Sequence, residues 1–139
     1  MSVTKTRATV GSREDAGAAR KADVYDRMCP SRGVLEHVTS RWGVLVLGAL
    51  REHGYRFGEL RRRIDGVSEK MLAQTLQTLE RDGFVLRVPH PVIPPRVDYS
   101  LTPLGAEAAV LVTDLVEWIE RRMPLVEAAR ELHDTRPRG

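Results

Sequence analysis

Three groups of side chains in this sequence have the types and spacing to do chemistry. The first is the stripe Lys70, Gln74, Gln77 and Arg81, which lies between Ser68 and Asp82. Steps of three and four residues place these on one face of a helix. Lys and Gln are residue types that read base edges in a DNA major groove. Ser68 at the head of the helix suits a base or backbone contact, and Met71 and Ala73 suit apolar contact with a thymine methyl. The second group is cationic. Arg61-Arg62-Arg63 precedes that helix and suits phosphate binding, with Arg51 and Arg56 as lesser candidates. His90 and Arg96 flank a run of prolines, and an arginine there suits a narrow, negative minor groove. The third is Cys29, a thiol at a helix N-terminus near Arg27 and Arg32, two influences that favour thiolate. Plainer readings stand beside these. A surface helix has a polar face in any case, Met71 can pack in a core, Arg96 can pair with Asp98 and Arg56 with Glu59, and Cys29 can be a small buried side chain.

The elements that must position these groups carry strong local signals. Ser68 can cap its helix, Glu69 sits where the helix dipole favours an anion, and Gly83 can take the left-handed position at its end. Val67 and Leu72 are spaced as a hydrophobic staple, and Leu72, Leu76 and Leu79 form the opposing apolar stripe. Ahead of it, Phe57, Leu60 and Ile64 recur at i, i+3 and i+7 on a short helix, and Asp65-Gly66 makes the turn between the two. Two short helices joined by a tight glycine turn form a helix-turn-helix pattern. Pro30 starts an earlier helix with Val34, Leu35 and Val38 on its apolar face. Trp42 to Leu50 is apolar nearly all round and reads as a buried helix. Phe84–Val88 and Val97–Leu101 read as strands around the stiff loop His90 to Arg96, a hairpin with a proline-rich tip, or wing. Thr102-Pro103 opens a long helix that ends near Met123, before Pro124. Leu125 to Leu132 is a last short amphipathic piece.

The expected organisation is therefore a disordered tail over 1–24, a domain over 25–123 that includes the long helix, and a short helix with a polar tail over 124–139. The 139 residues carry a net charge of +3 and a sequence pI near 9.4. The excess is local: residues 51–100 hold nine Lys/Arg against seven Asp/Glu, and 101–139 hold five against seven. A single cysteine gives no internal disulfide and suits a reducing compartment. No apolar run of about 18 residues occurs, and no secretory leader pattern, so a cytoplasmic protein with no membrane partner is expected. His37, His53, His90 and His133 lack the spacing of a metal pair, and no phosphate loop or nucleophile elbow appears. These features argue against an enzyme and call for no cofactor or metal.

Taken together, Cys29-Pro30, Arg41-Trp42, Arg56-Phe57-Gly58-Glu59-Leu60-Arg61, Gly66-Val67-Ser68-Glu69-Lys70-Met71-Leu72, Leu79-Glu80-Arg81-Asp82-Gly83 and the run from Val92 to Gly105 resemble the HxlR-type winged helix-turn-helix regulators, relatives of the MarR-like group. The resemblance extends from Cys29 to about Trp118. It implies a mainly α fold with a small β-hairpin wing, and a homodimeric bacterial transcription regulator on a palindromic operator. The Ser68 helix would enter the major groove, and the wing would touch the flanking minor groove or backbone. Relatives use a cysteine at the position of Cys29 as a sensor of oxidants or electrophiles. At Thr75 and Gln77, where members often carry basic residues, this chain is neutral.

Dimerisation is expected through the N- and C-terminal helices. Leu104, Ala108, Leu111, Leu115 and Trp118 keep a spacing close to the 3.5-residue period of paired helices. The space between the Trp42 helix and the dimer helices is where a small apolar effector would fit. The competing functions are a winged-helix module answering to such a ligand and one used for protein contacts without sequence-specific DNA binding.

Overall fold

A computed structural model describes residues 22–137. Of the expected tail, residues 1–21 lie outside the described residues, whereas Val24 already begins a run of turns. The chain forms two compact units, one through Leu35 and one from Glu36.

The elements are α1 (Pro30–Thr39), α2 (Arg41–Glu52), β1 (Tyr55–Arg56), α3 (Phe57–Arg63), α4 (Glu69–Arg81), β2 (Val85–His90), β3 (Arg96–Leu101) and α5 (Pro103–Asp134). They make the expected mainly helical fold with a β-hairpin wing. Each functional helix starts at a side-chain cap. The Ser40 hydroxyl accepts from the Gly43 N–H at 3.1 Å, that of Ser68 from Met71 at 3.1 Å and that of Thr102 from Gly105 at 2.9 Å. In α3 the Glu59 carboxylate reaches back to accept from the Arg56 N–H at 3.0 Å, so Glu59 meets the backbone of Arg56.

Two left-handed glycines bracket α4. Gly66 at φ 89° makes the helix-turn-helix turn, and Gly83 at φ 88° closes α4. Beyond Gly83 the Phe84 N–H donates to Leu79 O at 2.9 Å and the Gly83 N–H to Glu80 O at 3.0 Å, the paired bonds of a Schellman end. Leu79 and Phe84 are both buried there, which fastens the end of α4 to the start of the wing.

The core of the second unit is where these elements meet. Leu47 of α2, Leu60 of α3 and Leu72, Leu76 and Leu79 of α4 are essentially inaccessible. Val85, Tyr99, Ala109 and Val112 close it from the wing and α5. A fully buried leucine contributes about 1.5–3 kcal/mol by burial, so α4 is held by its apolar stripe rather than by helix propensity. Gly105 permits the closest approach: a Cβ there would collide with the Phe84 carbonyl. The N-terminus of α5 thus rests directly on the residue that leads into β2.

The structure corrects three expectations. The hairpin is longer than read, with β2 reaching His90 and β3 starting at Arg96. These two residues pair in register, and the loop shrinks to 91–95. A third, two-residue strand, β1, pairs antiparallel with β3 through Tyr55↔Tyr99 and Arg56↔Asp98, giving the order β1-β3-β2. Finally, the long helix does not stop at Met123, and 124–134 is no separate piece. α5 runs through Pro124 to Asp134. An internal proline removes one helical hydrogen bond and costs about 3 kcal/mol. Strong helix formers on both sides, Arg121, Arg122 and Met123 before it and Glu127, Ala128, Ala129 and Arg130 after it, favour continuation.

Candidate nucleic-acid interface

α4 presents its apolar stripe inward and leaves Lys70, Ala73, Gln74, Gln77 and Arg81 exposed. Among the described residues, none of the side chains of Lys70, Gln74 and Gln77 is engaged in an ion pair or hydrogen bond. Met71 is 40% exposed, so its thioether lies on the outer face and not in the core. The Ser68 hydroxyl is committed to its cap. The Thr75 hydroxyl donates to the Met71 carbonyl at 2.8 Å, which turns it back onto its own helix. A groove beside this face is lined by His37, Ser40, Met71, Gln74 and Thr78. At its end His37 Nδ1 meets Asp82 Oδ2 at 2.5 Å, tying the last turn of α1 to the end of α4.

The arginine run divides. Arg61 lies 3.5 Å from Glu69 Oε2 in a loose exposed ion pair, worth little against solvent. Arg62 is exposed with no carboxylate at ion-pair distance among the described residues. Arg63 stands apart from both. Its Nε donates to Glu52 Oε1 at 3.0 Å and a terminal nitrogen to Glu52 Oε2 at 2.5 Å, while the Tyr55 hydroxyl donates to the same carboxylate at 2.7 Å. The Arg63 bonds first, and the Tyr55 bond second, hold the Glu52 carboxyl down at about 2. Arg63 thereby braces α3 to α2. Arg51 is likewise engaged, donating to the Thr113 hydroxyl of α5 at 2.5 Å.

In the wing, Asp98 collects both flanking side chains. His90 Nε2 lies 2.8 Å from one carboxylate oxygen and Arg96 Nε 3.7 Å from the other. The pairing of Arg96 with Asp98 is therefore present. The tip beyond them is apolar and open: Ile93 is fully exposed. Arg87, which sequence reasoning passed over as a strand residue, is exposed on β2 and shares a groove with Ala73, Gln77 and Glu80. The available signal was a lone cation inside an apolar strand segment, Val85 to Val88.

Cys29 is 8% exposed. Its sulfur receives the Asp23 N–H at 3.3 Å and lies 3.2 Å from the Ser31 hydroxyl. The Ser31 hydrogen bond, followed by those of the Asp23 and Ser31 backbone, pushes the thiol down from its ordinary value, against burial and the Asp26 carboxylate. The direction matches the expectation, but the cause is hydrogen bonding rather than Arg27 and Arg32. Arg32 directs its guanidinium to the Tyr25 carbonyl at 3.3 Å.

On α5, Leu111 is 70% exposed and Leu104, Leu115 and Trp118 are about half exposed, whereas Ala108 packs onto the core. The open apolar line runs on past Pro124 through Leu125 and Leu132, 64% and 68% exposed. Leu104, Leu111, Trp118, Leu125 and Leu132 thus recur every seven residues. Sequence reasoning missed the last two because it stopped the helix at Pro124. No described helix is long and apolar enough to cross a membrane.

Known proteins share this fold. Residues 37–127 match the HxlR-like helix-turn-helix family. The chain is 57% identical over 112 residues, 81% of its length and 89% of the relative's, to the uncharacterized HTH-type transcriptional regulator YtfH of Escherichia coli (strain K12). It is similar to the solved structure of a transcriptional regulator ytfH from Salmonella typhimurium, with TM-score 0.77, 58% identity, and 80% and 99% of the two chains covered. The redox regulator HypR in its reduced form aligns with TM-score 0.65 and 30% identity over 71% of this chain and 98% of that one. The chain belongs to the HxlR-like helix-turn-helix family of transcriptional regulators.

Proposed function

We propose that the protein controls transcription by binding an inverted-repeat DNA site as a homodimer, with α4 in the major groove and the wing against the flanking minor groove or backbone. One observation carries this reading. A helix nailed down by three buried leucines offers Lys70, Gln74 and Gln77, with the half-exposed Met71, as an unengaged outer face. Rigid backbone with free, forked side chains is what base reading requires. Arg61 and Arg62 supply phosphate contacts beside it, and Arg87 and Arg96 extend the cationic surface into the wing.

The heptad line on α5 supports the dimer, because exposed apolar stripes of that period pair with a second helix. Two-fold symmetry then sets two α4 helices about 34 Å apart, one turn of DNA. Footprinting on DNA upstream of the gene and its neighbours tests the reading. Protection of two half-sites in inverted orientation is expected, and a single protected half-site with a monomer in sedimentation would sink it.

Cys29 is a candidate redox switch on this scaffold. The lowered thiol favours thiolate, and a similar protein is described as a redox regulator. Its thiolate attacks a peroxide oxygen, the O–O bond breaks, an S–O bond forms and hydroxide leaves, giving the sulfenic acid. Peroxide should then weaken operator binding by the native chain and not by Cys29→Ser. An unmodified Cys29 mass with unchanged binding after treatment removes this role.

A further inference from the structure

A cavity of about 540 Å³ lies between α2, the turn that follows α3, and α5. It belongs neither to the DNA-facing surface nor to the apolar line of α5. Its α5 wall is Thr113, Val116, Glu117 and Glu120, on the opposite side of the helix from Leu111, Leu115 and Trp118. The floor is apolar, formed by Val44, Gly48, Ala49 and Ile64. Gly48 helps keep it open: a Cβ there would meet only the Thr113 methyl, at 3.4 Å.

The charge around this floor is one-sided. Four carboxylates line it, those of Glu52, Asp65, Glu117 and Glu120, against the single guanidinium of Arg63. Arg63 is spent on Glu52. Arg51 reaches the wall at Thr113 but is bonded to its hydroxyl. Asp65, Glu117 and Glu120 have no cation at ion-pair distance among the described residues. Water satisfies such carboxylates, yet an apolar recess ringed by three uncompensated anions is complementary to a particular kind of guest.

We propose that this cavity binds a small organic cation with an apolar body, and that its occupancy is transmitted to the helix-turn-helix. The coupling half of this inference rests on the DNA-binding reading above; the binding half does not. Arg63 is the last residue of α3, and Ile64 and Asp65 begin the turn into α4. A cation seated against Asp65, Glu117 and Glu120 lies beside Glu52 and competes with Arg63 for its carboxylate. Loss of that brace alters how α3 and α4 sit on α2, which is a differential contact between two states of the reading head.

Tetraphenylphosphonium and tetraphenylborate, ions of matched shape and opposite charge, give the test. Titrated calorimetrically into the full, DNA-free chain, the phosphonium should bind and the borate should not. Glu117→Gln with Glu120→Gln should weaken phosphonium binding about tenfold while leaving the thermal unfolding midpoint within about 2 °C. Equal binding of both ions, or unchanged phosphonium affinity in the double variant, overturns the site. On the footprinted DNA, saturating phosphonium should change the affinity of the native chain about fivefold or more, and an unchanged affinity overturns the coupling. Because the first measurement contains no DNA, failure to bind any operator would strike the proposed function and leave the cavity's result standing.

Discussion

α4 and the wing both turn polar and charged side chains outward, but they dispose of them in opposite ways. On α4 the backbone is fixed from beneath by Leu72, Leu76 and Leu79, and Lys70, Gln74 and Gln77 are left without partners among the described residues. In the wing the backbone has few buried side chains to hold it, and Asp98 holds His90 and Arg96 instead. Where the core supplies rigidity, polar side chains are free to recognise a ligand. Where the core is thin, polar side chains must supply the rigidity, and their share in recognition shrinks. The wing should therefore contribute shape and general affinity, and α4 discrimination.

Four experiments sharpen or break that contrast, in order of falling effect. Leu76→Ala removes a fully buried side chain under α4 and should cost about 2–5 kcal/mol of stability. Ile93→Ala at the open wing tip should stay within about 0.5 kcal/mol. Urea midpoints for the two that fall close together would show the wing to be as firmly packed as the helix. Gln74→Ala should lose about 1–3 kcal/mol on the footprinted site and little on random DNA. Native-like binding would mean that the reading face lies elsewhere.

Arg62→Ala should weaken cognate and random DNA alike and reduce the slope of log affinity against log salt by about 0.9. An unchanged slope removes Arg62 from the phosphate contacts. The smallest effect is at the brace behind the arginine run. Arg63 and Tyr55 hold Glu52 at about 2, below its ordinary 4.5. A folded value below the unfolded one means that the stabilisation is present above about pH 4.5 and is lost as pH falls toward 2. Glu52→Gln should flatten that limb of an acid-unfolding curve, and a variant that keeps the wild-type acid limb would show the brace to be idle.

Local chemistry made much of this molecule legible before any coordinates. Ser68, Gly66 and Gly83 mark α4 because caps and left-handed turns are decided within a few residues. Thr102-Pro103 marks the start of α5 for the same reason. The three leucines of α4 reveal which side faces the core, so its exposed face follows from periodicity alone. Where local and distant forces compete, the reading failed. Pro124 is a helix breaker by local rule, yet α5 passes through it. β1 has two residues, too few for any periodic signal, and exists because β3 offers an edge at Tyr99 and Asp98.

Partnership is what tertiary structure alone decided. Arg61, Arg62 and Arg63 are three like residues in a row, and nothing in their sequence separates one from another. The fold sets Arg63 against Glu52 and Tyr55, Arg61 loosely on Glu69, and leaves Arg62 open. Ala108 and Leu111 share one stripe on paper, but packing sets the first, partly buried, against the core and exposes the second. The carboxylates of Asp65 and Glu117 are more than fifty residues apart and line one cavity. Helix ends and buried faces are set by neighbours along the chain, whereas the charge left over at a surface depends on which distant residues arrive beside it.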